Sequence, residues 1–284
     1  MTASHPPRSE PDLHLDSTAH LMHSISSRLT GQLRLVSPPV RRRPAPPALV
    51  LVGHGSRDPR ALETVRALRD RVRELRPGLP VHLGHIELNE PLLPDALTAL
   101  GDAPAVLVPL LLSRGYHVRH DIPEMAAAAK ASTRVAAPLG PHPLLVETLY
   151  DRLLEAGWPP VPDERTRRTS AVVLAAAGSR DPDSATDTRR TARLLADRLG
   201  VPVVPAYASA ATPTVPTAVR ALAARGRHRV AIASYFTAPG RFAAQCGEQA
   251  PWIASAPLGA HPAMARLILH RYAETSATRG TEAA

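Results

Sequence analysis

The chain has 284 residues, enough for two ordinary domains, is 44% hydrophobic but only 3% aromatic, and carries one cysteine, Cys246. The single thiol excludes an intrachain disulfide framework and predicts a reducing, cytoplasmic setting, and no apolar run approaches membrane-spanning length. A net charge of +9, carried by dispersed arginines with Lys130 as the sole lysine and without zinc-finger spacing or aromatic-studded strands, speaks against nucleic acid and for a small, multiply acidic ligand.

Residues 1–47 hold eight prolines and many Ser and His residues, so they cannot bury enough apolar surface to offset ordering, and a disordered tail is predicted. They contain no continuous apolar stretch with a small-residue cleavage site, which argues against a secretory signal. His5, His14, His20 and His23 are spaced too irregularly to read as a metal site.

The apolar run 48–52 predicts a buried parallel strand, followed by Gly53-His54-Gly55-Ser56-Arg57. Asp58 can cap the next helix, with Pro59 in its first turn. An imidazole thus sits between two glycines at the carboxyl end of a strand, the edge where open α/β sheets bind ligands, and glycine on both sides lets something bulky approach it. The turn alone also fits a phosphate loop or an empty turn, although neither nucleotide-binding fingerprint is present. An amphipathic helix over 60–76 follows, with Leu75 on its apolar face. Next comes a strand over 81–88, in which His85 and Glu87 share a face and His82 lies opposite. A helix from Asn89-Glu90-Pro91 to about 100, a third strand over 105–113, and a loop over 114–123 come next, with Asp121 as the cap of the helix after Pro123. A strand over 134–137 and a helix over 143–156 complete a unit whose βαβα alternation predicts a doubly wound parallel sheet.

The pattern then repeats beyond a Pro- and charge-rich linker, 158–169. The turn around Gly178-Ser179-Arg180-Asp181-Pro182 echoes the first, and six of seven residues in 137–143 return in 256–262. Two tandem lobes are predicted, 48–157 and 170–274, with a short tail over 275–284. His142 and His261, which recur before a helix in each lobe, read as parts of a structural turn. Aligned by its own motifs, the second lobe has Ala177, Ser209 and Phe242 where the first has His54, Glu87 and His117.

His54, Glu87 and His117 all fall on the carboxyl edge of one sheet, and two imidazoles with a carboxylate suit a divalent first-row metal or proton transfer. At these residues the chain resembles the sirohydrochlorin chelatases, the CbiX- and SirB-like branch of the class II chelatases. The matching segments are Gly53-His54-Gly55-Ser56-Arg57, Ile86-Glu87-Leu88 with Pro91, and Ser113-Arg114-Gly115-Tyr116-His117-Val118 with Asp121-Ile122-Pro123. The resemblance implies a chelatase-like α/β fold of two lobes enclosing a cleft. It also implies insertion of Co²⁺ or Fe²⁺ into sirohydrochlorin, with Ni²⁺ as a further possibility and no organic cofactor. His54 and His117 are carried over as the catalytic and metal-holding pair, with Glu87 assisting. The acidic side chains of the tetrapyrrole would find Ser56, Arg57, Arg114, Tyr116 and Arg119 at the rim, arginine forks being suited to carboxylates. A non-catalytic metal or tetrapyrrole carrier using the same cleft is the alternative. No nucleic-acid or membrane partner is expected, and fusion of the lobes predicts a monomer.

Overall fold

Strand β1, Ala48–Gly53, is buried at every position and forms the centre of the first sheet. The structure, a computed structural model, describes residues 45–277 and Met22; the expectations for the remainder of 1–47 and for 278–284 lie outside the described residues. β2 (Val81–His85) and β3 (Ala105–Pro109) flank β1, and β4 (Thr133–Val135) adds to β3, all parallel in the order β2-β1-β3-β4. Helix α1, Pro59–Leu75, starts as its sequence predicts: Asp58 accepts from the Arg60 N–H, and Pro59 occupies the first turn. It buries Ala61, Val65, Leu68 and Val72, but Leu75 is 50% exposed, because the last turn runs past the core.

Both flanking strands are shorter than the sequence predicts. After His85 the Ile86 and Glu87 N–H groups donate to the carbonyls of Gly53 and His54, at 2.9 and 3.0 Å, so residue 87 follows the β1 turn and shares no strand face with His85. Beyond β3, the carbonyls of Leu110 and Leu112 accept from the Thr237 and Tyr235 hydroxyls of the second lobe, each at 2.9 Å. The first unit is completed by α2 (Leu93–Ala99), a π-helical turn (His117–Asp121), α3 (Ile122–Ala127) and α4 (Pro143–Glu155).

The second unit repeats the order with β5 (Ser170–Ala176), α6 (Pro182–Leu199), β6 (Val203–Tyr207), α7 (Val215–Ala223), β7 (Arg229–Tyr235) and α8 (Arg241–Gly247). Its parallel sheet has the order β6-β5-β7, and only a single bridge, Ile232 to Ala254, stands where the first sheet has β4. The expected linker is partly built into the fold. Trp158 is 2% exposed against Trp252, and helix α5, Glu164–Thr169, is capped by Asp163, which accepts from the Thr166 N–H at 2.6 Å. Helix α9, Pro262–Ala277, likewise carries ordered structure three residues into the expected tail, and Arg134 donates to the Thr275 carbonyl.

Five layers result. α2 and α3 cover one face of the first sheet, and α7 and α8 cover one face of the second. One continuous core fills the middle, where α1, α4, α6 and α9 meet the other face of both sheets. Each lobe's terminal helix crosses over: α4 packs on β7, and α9 packs on β3. The crossing is stitched by Arg152 donating to the Leu258 carbonyl, Arg271 to the Leu139 carbonyl, and Arg266 to Glu147. No helix among the described residues is long and apolar enough to cross a membrane.

Candidate functional site

The turn after β1 is built around a backbone contact. Gly55 has φ +104°, and a Cβ there would lie 1.8 Å from the Glu87 carbonyl oxygen. Its second-lobe counterpart, Gly178, repeats the arrangement against Ser209 at 1.9 Å. Glycine is therefore required here by the close passage of residue 87 and not, as the sequence suggests, by the approach of a bulky ligand. Gly53 makes room for the ring of His85, which is 2% exposed with Nδ1 3.3 Å from the Pro91 carbonyl. Burial pushes His85 below the ordinary histidine pKa and favours the neutral ring.

The same passage brings Glu87 beside His54, Oε1 to Nδ1 at 3.5 Å. His117 arrives from the loop after β3. Asp121, expected as a helix cap, makes no cap bond; the π-helical turn instead stacks it against His117, with Oδ2 2.5 Å from Nδ1. Each imidazole thus has a carboxylate at Nδ1, and the two Nε2 atoms face one another at 3.2 Å with the rings at 89°. A carboxylate at Nδ1 selects the Nδ1–H tautomer and leaves the Nε2 lone pair free.

Two such nitrogens can share a proton or hold a cation. On one divalent ion at ~2.1 Å each and a tetrahedral angle, they would stand about 3.4 Å apart, close to the spacing found. Among the described residues no group of three or more His, Cys, Asp or Glu side chains is arranged to hold a metal. Glu87 lies at the edge of His54 away from His117, so the three expected ligands do not meet at one point. With side-chain exposures of 42% and 38%, both rings open into a cleft of about 1130 Å³ between the lobes.

The expected rim residues fare differently. Arg57 is exposed in the cleft with no acidic partner among the described residues. Ser56 is occupied by its own turn: its N–H donates to Asn89, and its Oγ accepts from the Asp58 N–H. Tyr116 is 65% exposed, its ring 4.8 Å from that of His120. Arg114 and Arg119 are not open to a ligand's carboxylates. Arg114 binds Asp187 through its backbone N–H at 3.0 Å and its guanidinium at 2.7 and 3.0 Å, and Asp183 at 3.2 Å. These aspartates hold its proton more firmly still. Arg119 pairs with Asp181 and Asp183. The local reason is that α6 of the second lobe presents its acidic first turns to this loop, a contact between distant parts of the chain. Across the cleft, strand register places Ala177, Ser209 and Phe242 where His54, Glu87 and His117 stand, and these side chains offer no strong ligand. His142 and His261 do serve structural turns, accepting from the Leu144 and Ala263 N–H groups.

The profile of the CbiX family matches residues 48–156 and 171–275. The chain belongs to the CbiX family. As a CbiX protein it carries the family unit twice, once in each lobe. It is 33% identical over 176 residues to the sirohydrochlorin ferrochelatase of Bacillus subtilis, a match spanning 58% of this chain and 64% of that one. It is 30% identical over 137 residues to the sirohydrochlorin cobaltochelatase of Methanopyrus kandleri, a match spanning 38% of this chain and 96% of the relative. Among solved structures it is similar to SirB from Bacillus subtilis with Fe³⁺, at a TM-score of 0.64 and 25% identity, over 83% of this chain and 97% of the other.

Proposed function

We propose that this CbiX protein is a sirohydrochlorin chelatase that inserts Co²⁺ or Fe²⁺ into the tetrapyrrole. The observation that carries the reading is the pair of Nε2 atoms 3.2 Å apart, each ring backed by a carboxylate, at the open face of an interlobe cleft. Insertion must deliver a divalent ion and remove two pyrrole protons. His54 and His117 are suited to both tasks in turn, as a two-nitrogen perch and then as proton acceptors. A perch with only two protein ligands leaves positions open for the macrocycle nitrogens and lets the ion depart, which a thiolate cage would resist. Glu87 and Asp121 keep the rings turned and stabilise the imidazolium formed when a proton is taken.

The named relatives include both a ferrochelatase and a cobaltochelatase, and imidazole nitrogen accepts either ion, or Ni²⁺, so cellular supply sets the choice. Ala177, Ser209 and Phe242 make the second lobe a wall of the cleft, giving one working site per chain. Both walls come from one polypeptide, which favours a monomer, and a reducing compartment such as the cytoplasm suits the unpaired Cys246 thiol. The test is an absorbance assay of the purified protein with sirohydrochlorin and each metal in turn. Catalytic turnover is expected; binding that stops at one equivalent would make the protein a carrier.

A further inference from the structure

The cleft is lined by four arginines, Arg57, Arg60, Arg114 and Arg241. Two are committed to carboxylates of the chain itself: Arg60 to Asp58 at 2.7 Å, and Arg114 to Asp183 and Asp187. Arg57 and Arg241 have no acidic partner among the described residues. They stand on different lobes. Arg57 follows the turn after β1, whereas its repeat counterpart, Arg180, is outside the lining of the cleft.

Arg241 comes from another position in the repeat. Val52 pairs with Pro109 in the first sheet, as Ala175 pairs with Ser234 in the second. Counting forward from these pairs sets Arg241 on Tyr116 and Phe242 on His117. Where the first lobe has its imidazole, the second has a phenyl ring, and the guanidinium carbon of Arg241 lies 5.0 Å from that ring's centre. A guanidinium resting on an aromatic face is restrained and partly desolvated while its N–H edges stay free. Arg241 is exposed, so those edges are accessible from the cleft.

We infer that Arg241 is the second lobe's anchor for a peripheral carboxylate of the tetrapyrrole, gripping the substrate opposite Arg57. The inference rests on the chelatase reading above, since it takes that substrate as the ligand. A flat ring with acids around its edge needs cations at separated points and apolar surface between them. Leu88, Tyr116 and Phe242 supply apolar surface in the same cavity. The second lobe, which has no metal-handling groups at these positions, thus supplies a substrate-holding one.

The test titrates sirohydrochlorin into the full-length, metal-free protein and measures steady-state insertion with the wild type, Arg241→Ala and Arg241→Lys. Arg241→Ala is expected to weaken binding about tenfold, the loss of one charge-assisted hydrogen bond, and to raise KM more than it lowers kcat. Arg241→Lys should recover part of the loss. A tetrapyrrole with its carboxylates esterified should bind wild type and Arg241→Ala alike. If the wild type inserts metal but Arg241→Ala binds and turns over sirohydrochlorin as the wild type does, the anchor is overturned and the chelatase reading stands. If the wild type neither binds nor metallates sirohydrochlorin, the functional reading fails and the anchor fails with it.

Discussion

His54 and His117 present their Nε2 atoms to each other because a carboxylate holds the opposite edge of each ring. Replacing either histidine by alanine should reduce insertion by about 100-fold or more, in line with removal of a group that acts directly on the reacting atoms. Asp121→Ala should cost about 10- to 100-fold through a misoriented His117, with an unchanged melting temperature. Wild-type insertion by Asp121→Ala would end its orienting role. The two histidines were legible in the sequence from the glycine-flanked turn and the strand ends. Asp121 was not, because an acid ahead of Ile-Pro reads as a helix cap, and hydrophobic periodicity does not announce a π-helical turn. Its spacing of four from His117 was the available signal. Gly55→Ala should lower stability by more than about 1 kcal/mol, since its φ is +104° and the obstructing atom, a carbonyl oxygen at 1.8 Å, cannot rotate aside. Insertion should fall with it as Glu87 is displaced. A urea midpoint equal to that of wild type would contradict this account.

At the scale of elements, the Arg114–Asp187 pair joins the loop carrying His117 to α6. Its two ends differ in exposure, 42% for the Arg114 side chain and 6% for that of Asp187. Removing the arginine leaves the buried carboxylate with the backbone N–H of residue 114 but no cation, at a cost of ~3 kcal/mol. Removing the aspartate leaves a guanidinium that water can still reach, so the cost should be nearer 1 kcal/mol. Denaturant unfolding of Arg114→Ala and Asp187→Ala checks the order, and the reverse ranking would show that the pair does not bear on stability in this way. The sequence reads Arg114 as a ligand contact because its partners lie 69 and 73 residues away, beyond any local pattern. The same blindness lengthened the third strand: the apolar letters continue past Pro109, but the carbonyls of Leu110 and Leu112 turn to Thr237 and Tyr235. What could be read was the order of elements and the repeat, because both are written in local periodicity and in the recurring turn residues.

At the scale of the molecule, the crossing of α4 and α9 makes each lobe incomplete alone. A fragment covering 44–157 keeps β3 but lacks the α9 that packs on it, while its own α4 has lost β7. It should be inactive as a monomer and recover insertion only as a dimer in which two copies exchange α4. Light scattering coupled to the absorbance assay distinguishes these outcomes, and a monomeric fragment with full activity would refute the argument. The crossing has a second consequence, for how substrate enters. Two jaws that each hold part of the other cannot swing apart without opening the shared core, and close-packed interiors resist that. The aperture is therefore set when the chain folds. X-ray scattering should return the same radius of gyration with and without sirohydrochlorin, and contraction on binding would reveal a hinge. On the chelatase reading, a flat macrocycle would meet a gauge of fixed width, and entry would depend on fitting the slot from its open edge.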